Sequence, residues 1–89
     1  MHGSKTVSVV LPAYNEAGYI RPAVDDFFVP NIVDEVIVVD NNSRDATAAE
    51  ARQTRARVVR ESRQGYGYAL QRGIHEATGD IVILAEPDG

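Results

Sequence analysis

The chain is predicted to be an α/β protein, a three-layer Rossmann-like parallel sheet with the element order β-α-β-α-β-α-β. Three observations predict it. Val36-Ile37-Val38-Val39 and Ile81-Val82-Ile83-Leu84 are continuous apolar runs, the pattern of strands covered on both faces. Segments of helical period separate the strands, and such alternation implies right-handed crossovers and a parallel sheet. Both runs also empty into polar stretches, Asp40-Asn41-Asn42-Ser43 and Glu86-Pro87-Asp88-Gly89.

In chain order, Thr6 to Leu11 is β-branched and apolar and is expected to be the first strand, ending at Pro12. A loop, Ala13 to Gly18, leads to a helix over Tyr19 to Phe28. Pro22 is tolerated there because it falls in the first turn, and Ile20, Ala23, Val24, Phe27 and Phe28 form the buried stripe. Pro30 and Asn31 stop that helix, and Val33 to Val39 is the second strand. The Ala-rich stretch from Asp45 to Thr54 has helix propensity, a thin apolar face, and Ser43 or Asp45 as a cap. Arg57 to Arg60 is a short third strand. In the third helix Tyr66, Ala69, Leu70, Gly73, Ile74 and Ala77 fall on one expected core face, and Thr78-Gly79 reads as a glycine-type helix end. The last strand then delivers Glu86 and Asp88 to the carboxyl edge of the sheet.

Composition bounds the function. A chain of 89 residues with 44% hydrophobic and 25% charged residues reads as one small globular domain, or part of one, rather than a disordered segment. Zero Cys excludes disulfides and thiolate metal sites, and a net charge of -4 argues against an extended nucleic-acid surface. No apolar run approaches the roughly 20 residues that span a bilayer, and no basic-then-apolar leader precedes Val7. A cytoplasmic protein is therefore expected, with peripheral membrane attachment left open for a longer form. Met1 to Ser4 reads as a tag-like remnant, and residues 5–89 as the domain. Arg52, Arg55, Arg57, Arg60 and Arg63 crowd one segment, either a solvated face or a patch for an anionic membrane or phosphorylated acceptor.

Ligands of open α/β sheets bind beyond the carboxyl ends of the strands. Three loops are expected there, Pro12 to Glu16, Asp40 to Ser43 and Glu86 to Gly89, and their acids and amides outnumber their cations. Such groups suit ribose hydroxyls, base amides and a divalent cation. The paired carboxylates Glu86 and Asp88 are the candidate ligands for Mg²⁺ or Mn²⁺, which would neutralise charge on a departing diphosphate. Other motifs fail. Gly65-Tyr66-Gly67-Tyr68-Ala69-Leu70 lacks the third glycine of a dinucleotide fingerprint and follows the wrong strand, while Asp40 to Asp45 lacks the glycine of a calcium loop. His2 lies in the tag-like start and His75 in mid-helix, so no nucleophile–base pair is nominated.

Four motifs in order, Val9 to Glu16, Val36 to Thr47, Gly65 to Gly73 and Ala77 to Asp80, resemble the nucleotide-binding half of family 2 glycosyltransferases with the GT-A fold. The resemblance implies that Pro12, Ala13, Tyr14 and Glu16 line the nucleoside site and that Asp40 or Asn41 contacts the base. Gln64, Gly65 and Arg72 would belong to the donor site, and Glu86-Pro87-Asp88 would stand for the metal-binding Asp-x-Asp. Two departures stand out: Asn41 replaces a second acid, and Glu86 replaces the first Asp, leaving Asp88 as the direct ligand. The donor would be a UDP- or GDP-sugar, and the acceptor a hydroxyl or phosphate, with polyprenyl phosphate a lead. The family also implies an acceptor-binding half beyond Gly89, so these residues would bind without turning over. A stand-alone nucleotide-binding module, or an assembly module that dimerises through an unfinished sheet edge, are the alternatives.

Overall fold

A computed structural model describes residues 5–86, with seven elements in the expected order: β1 (Val7–Ala13), α1 (Ile20–Phe28), β2 (Glu35–Asp40), α2 (Thr47–Ala51), β3 (Arg57–Arg60), α3 (Tyr66–Glu76) and β4 (Ile81–Leu84). Pro87, Asp88 and Gly89 lie outside the described residues, and with them the expected ligand Asp88. All strand pairs are parallel, in the spatial order β3-β2-β1-β4. The chain walks from β1 to β2 to β3, and α3 then carries it back to the other side of β1. Right-handed crossovers running in opposite directions place their helices on opposite faces of the sheet.

Two buried clusters follow. Val9, Leu11, Ala13, Val36 and Val38 pack with Ile20 and Val24 of α1 and Ala51 of α2. Val10, Ile37 and Val39 project the other way and pack with Ala69 of α3. All seven residues of β1 are buried, as expected of the strand at the centre of three layers. Phe27 and Phe28 complete the α1 stripe, and Asn31, at φ 59°, follows the helix end with its N–H on the Phe28 carbonyl.

Strand β1 runs through Pro12 rather than ending at it, with Pro12 level with Val39. The Ala85 N–H donates to the Val10 carbonyl and the Asn41 N–H to the Ala13 carbonyl, so backbone groups alternate between β4 and β2. Pro12 shares the parity of Val10. Its missing N–H therefore falls on the β4 side, beyond the last pair, Val10 with Leu84, where no bond is lost.

Gly73 and Gly79 set how closely α3 and β4 approach the sheet. A Cβ on Gly73 would stand 2.2 Å from Val10 Cγ1, and one on Gly79 would stand 2.6 Å from Ser8 Oγ and 2.9 Å from Ser8 N. The expected glycine-type cap at Thr78-Gly79 is not formed. Ala77 is already extended at ψ 137°, and Gly79 is needed instead for close contact with β1.

The expectation that β4 is covered on both faces is also corrected. Its four residues are 38–48% exposed, and Ile74 of α3 is 50% exposed. The physical reason is position: β4 is an edge strand, and α3 packs over β1 and β2. Among the described residues β4 pairs with β1 alone and β3 with β2 alone, so the sheet has two open edges, of which the β4 edge is the apolar one.

Two alanine substitutions should differ in sign. Gly73→Ala gains about 1 kcal/mol in helix propensity but must push Val10 aside, for a net loss on the order of 1 kcal/mol or more. Gly67→Ala in the same helix meets nothing within 4 Å and should raise stability by roughly 0.5–1 kcal/mol. Urea unfolding of both variants checks the pair.

Candidate functional site

At the carboxyl ends of β1 and β4, where the strand order reverses, a cleft of about 300 Å³ opens on the α3 face. Pro12, Ala13, Tyr14 and Glu16 line it from β1 and its loop, and Glu86 from the end of β4. Asn41, Gln64 and Gly65 form the far wall. Eight of the ten residues expected at the donor site thus share one cleft.

Asp40 and Arg72 do not line it. Asp40 keeps the parity of Val36 and Val38, which projects it to the α1–α2 face, where its Oδ1 accepts the Ser43 N–H at 3.2 Å. Asn41, one residue on, turns to the α3 face. Arg72 lies against a separate depression with Gln71 and His75, held by Glu76 at 3.2 Å and Glu61 at 3.9 Å. Ala69, in its expected place in the core, also borders the cleft floor, whereas Tyr66, assigned to the same core face, is 56% exposed and lines the cleft. The place of Tyr66 directly after Gly65 was the available signal.

The β1–α1 loop is clamped to the β2–α2 segment by side chains receiving backbone N–H groups. Asn15 N–H donates to Ser43 Oγ at 2.9 Å, Glu16 N–H to Thr47 Oγ1 at 2.7 Å, Ala17 N–H to Asp45 at 3.2 Å and Gly18 N–H to Glu50 at 2.8 Å. In return Arg44 N–H donates to Asn15 Oδ1 at 2.8 Å. Asp45 also accepts the Thr47 N–H at 3.0 Å, and its carboxyl is held below the usual range by the Thr47 hydroxyl foremost. Neither expected cap occupies the N-cap position, which is Ala46: Asp45 takes the first N–H of α2 from the residue before it, and Ser43 serves the neighbouring loop. Thr47 is fully buried, so Thr47→Val should strand the Glu16 N–H, cost about 1–3 kcal/mol in denaturant unfolding and loosen Glu16 at the cleft.

Asn41 is 4% exposed and every polar atom of its side chain is engaged. Its Nδ2 donates to the carbonyls of Glu61 and Arg63, each at 2.9 Å. Its Oδ1 accepts from Gly65 N–H at 2.9 Å and Gln64 Nε2 at 3.3 Å. Gly65 sits at φ 142°, a conformation that favours glycine, and opens α3.

Behind this wall runs a ladder of charges. Glu61, 3% exposed, meets Arg63 at 3.0 Å and Arg72, while Glu76 meets Arg72 and, at 2.8 Å, Arg57, which lies 3.6 Å from Glu35. Arg60 donates to Asn42 and Arg55 lies over Phe28, so four of the five crowded arginines serve contacts within the chain. The Arg63 hydrogen bonds hold the Glu61 carboxyl below its ordinary value of 4.5, and the Arg57 hydrogen bond does the same for Glu76. For Glu35, burial pushes the value up, and hydrogen bonds from Ser8 and Thr78 with the Arg57 charge outweigh it. These carboxyls release protons more readily when folded, so their stabilisation is complete above pH 4.5 and is lost as pH falls through the folded values. Thermal midpoints measured from pH 6 down to about pH 3 should therefore drop for the parent chain and drop less for Glu61→Gln.

For a divalent cation, the cleft offers the carboxylates Glu16 and Glu86, hard oxygen donors of the kind Mg²⁺ and Mn²⁺ accept. Among the described residues no three acidic or histidine side chains converge on one point.

A parallel sheet with a cleft at its switch point, walled by amides and carboxylates, defines the class as open α/β proteins of Rossmann-like build with a ligand site at the strand ends. The model of Glycosyl transferase family 2 matches residues 8–89. Glucosyl-3-phosphoglycerate synthase of Mycobacterium tuberculosis is 42% identical over 94 residues, covering 94% of this chain and 29% of that protein. A crystal structure of that synthase with Mn²⁺, UDP and phosphoglyceric acid superimposes with a TM-score of 0.84 at 39% identity, over 96% of this chain and 34% of the other. A second, with Mn²⁺, UDP-glucose and glycerol 3-phosphate, gives 0.83 at 40%, with the same coverage of 96% and 34%. The chain belongs to glycosyltransferase family 2 and has the fold of a GT-A nucleotide-binding half. It spans about a third of the length of those solved relatives.

Proposed function

We propose that the cleft binds the nucleoside diphosphate of a nucleotide sugar, UDP-glucose foremost, as the donor-binding part of a metal-dependent glycosyltransferase. The observation that carries this is the convergence of Pro12, Ala13, Tyr14, Glu16, Asn41, Gln64, Gly65 and Glu86 on one cleft at the switch point. The UDP, UDP-glucose and Mn²⁺ named with the solved relatives support UDP over GDP. Glu86, with Asp88 beyond the described residues, would hold Mn²⁺ or Mg²⁺, which when bound supplies positive charge against the departing diphosphate. Tyr14 and Tyr66 offer aromatic surface at the cleft, and the clamped β1–α1 loop holds Glu16 in place. Transfer of the sugar needs an acceptor site that the relatives' greater length would supply, so these 89 residues bind the donor without turning over. The relatives' phosphoglycerate favours a small phosphorylated acceptor over polyprenyl phosphate. Cytoplasmic placement belongs to the same proposal.

Calorimetric titration with UDP, UDP-glucose and GDP-mannose, each with and without Mn²⁺, tests it. UDP and UDP-glucose should bind more tightly than GDP-mannose, and Mn²⁺ should strengthen both. A folded sample that binds none of them sinks the donor site and leaves an assembly module as the reading. Binding indifferent to Mn²⁺ removes the role given to Glu86 and Asp88.

A further inference from the structure

Asn41 lies at the cleft wall, yet it has nothing left to offer a ligand. Both Nδ2 hydrogens are spent on the Glu61 and Arg63 carbonyls, and Oδ1 takes Gly65 N–H and Gln64 Nε2. An amide has two donors and one two-lone-pair acceptor, so this side chain is saturated. Its own N–H, on Ala13, and its carbonyl, on Gln64 Nε2 at 3.2 Å, are occupied as well. Gln64 is the opposite case. It is exposed, it lines the cleft, and its bonds to Asn41 and to Asn42 Nδ2 are all 3.2–3.3 Å, at or just beyond the long end of the normal range.

Resting on the function proposed above, we infer that Asn41 is a positioning residue that latches the 61–65 loop, and that Gln64, held by that latch, presents the carboxamide that meets the base of the bound nucleoside diphosphate. A carboxamide donates and accepts side by side, which matches the adjacent N–H and C=O of a uracil imide edge. Exchanging long protein bonds for ligand bonds costs Gln64 little, whereas Asn41 would have to release two carbonyls and the Gly65 N–H from a buried site. An acid at position 41 keeps the acceptor but cannot donate to either carbonyl, so it would open the wall.

Three variants test this with UDP and Mn²⁺ as the probe: Gln64→Ala, Asn41→Asp and the double variant. Each single change should weaken UDP binding by about tenfold, the loss of one to two hydrogen bonds. The double variant should be no weaker than the worse single, because Asn41 acts through Gln64, whereas a merely structural role gives multiplying losses. Independently of ligand, hydrogen exchange by NMR should show the Gly65 amide protected in the parent chain and opened in Asn41→Asp, with the Val38 amide still protected. A parent chain that fails to bind UDP overturns this inference together with the function proposed. A parent that binds while Gln64→Ala or Asn41→Asp binds equally well, or losses that multiply, overturns this inference alone. An unchanged Gly65 amide in Asn41→Asp removes the latch.

Discussion

The parallel pairing of β1 with β2, ending with Ala13 level with Asp40, is the constraint on which the rest depends. Side chains alternate along a strand, so this register sends Val9, Leu11, Val36 and Val38 to the α1–α2 face and Val10, Ile37 and Val39 to α3. The same alternation parts Asp40 from Asn41 at the strand end. A slip of one residue in β2 would exchange their roles and put a carboxylate into the wall that Asn41 now holds.

Around that pair the polar groups of the connecting loops are satisfied by one another. Backbone N–H groups of Asn15 to Gly18 find side-chain oxygens on the β2–α2 segment, and the 61–65 loop hangs on Asn41. Loops tied in this way form a wall before any ligand arrives, which lowers the ordering cost of binding. The opposite border is different. There β4 presents Ile81, Val82, Ile83 and Leu84 partly to solvent, together with Ile74, apolar surface that a larger assembly would be stabilised by covering. The cleft therefore has a firm side built on β2 and a sparse side built on β4.

Much of this was legible in the residues. The unbroken apolar run Val36 to Val39 is a buried inner strand as its pattern suggests; Pro22 is harmless where it stands, and Asn31 follows the end of its helix as its type suggests. Three readings depended on neighbours and went astray for that reason. Pro12 looked like a strand end because sequence does not say which side its missing N–H faces. Gly79 looked like a left-handed cap because its closeness to Ser8 is a contact across 71 residues. Ile81 to Leu84 looked buried because an apolar run reports what a strand would be stable next to, not whether it is covered.

The amino-acid sequence by itself determined the order and type of the elements, the parallel sheet, and most of the residues that meet at its carboxyl edge. It could do so because strand pattern, helix period and loop chemistry are local properties, and a parallel crossover has one favoured hand. Tertiary structure alone decided that Asp40 faces away from the cleft, that Arg72 serves Glu61 and Glu76, and that Asn41 is consumed in holding a wall. Those outcomes turn on strand parity and on partners that range from a few residues to 24 residues away along the chain, and only the folded chain says which of them come within reach.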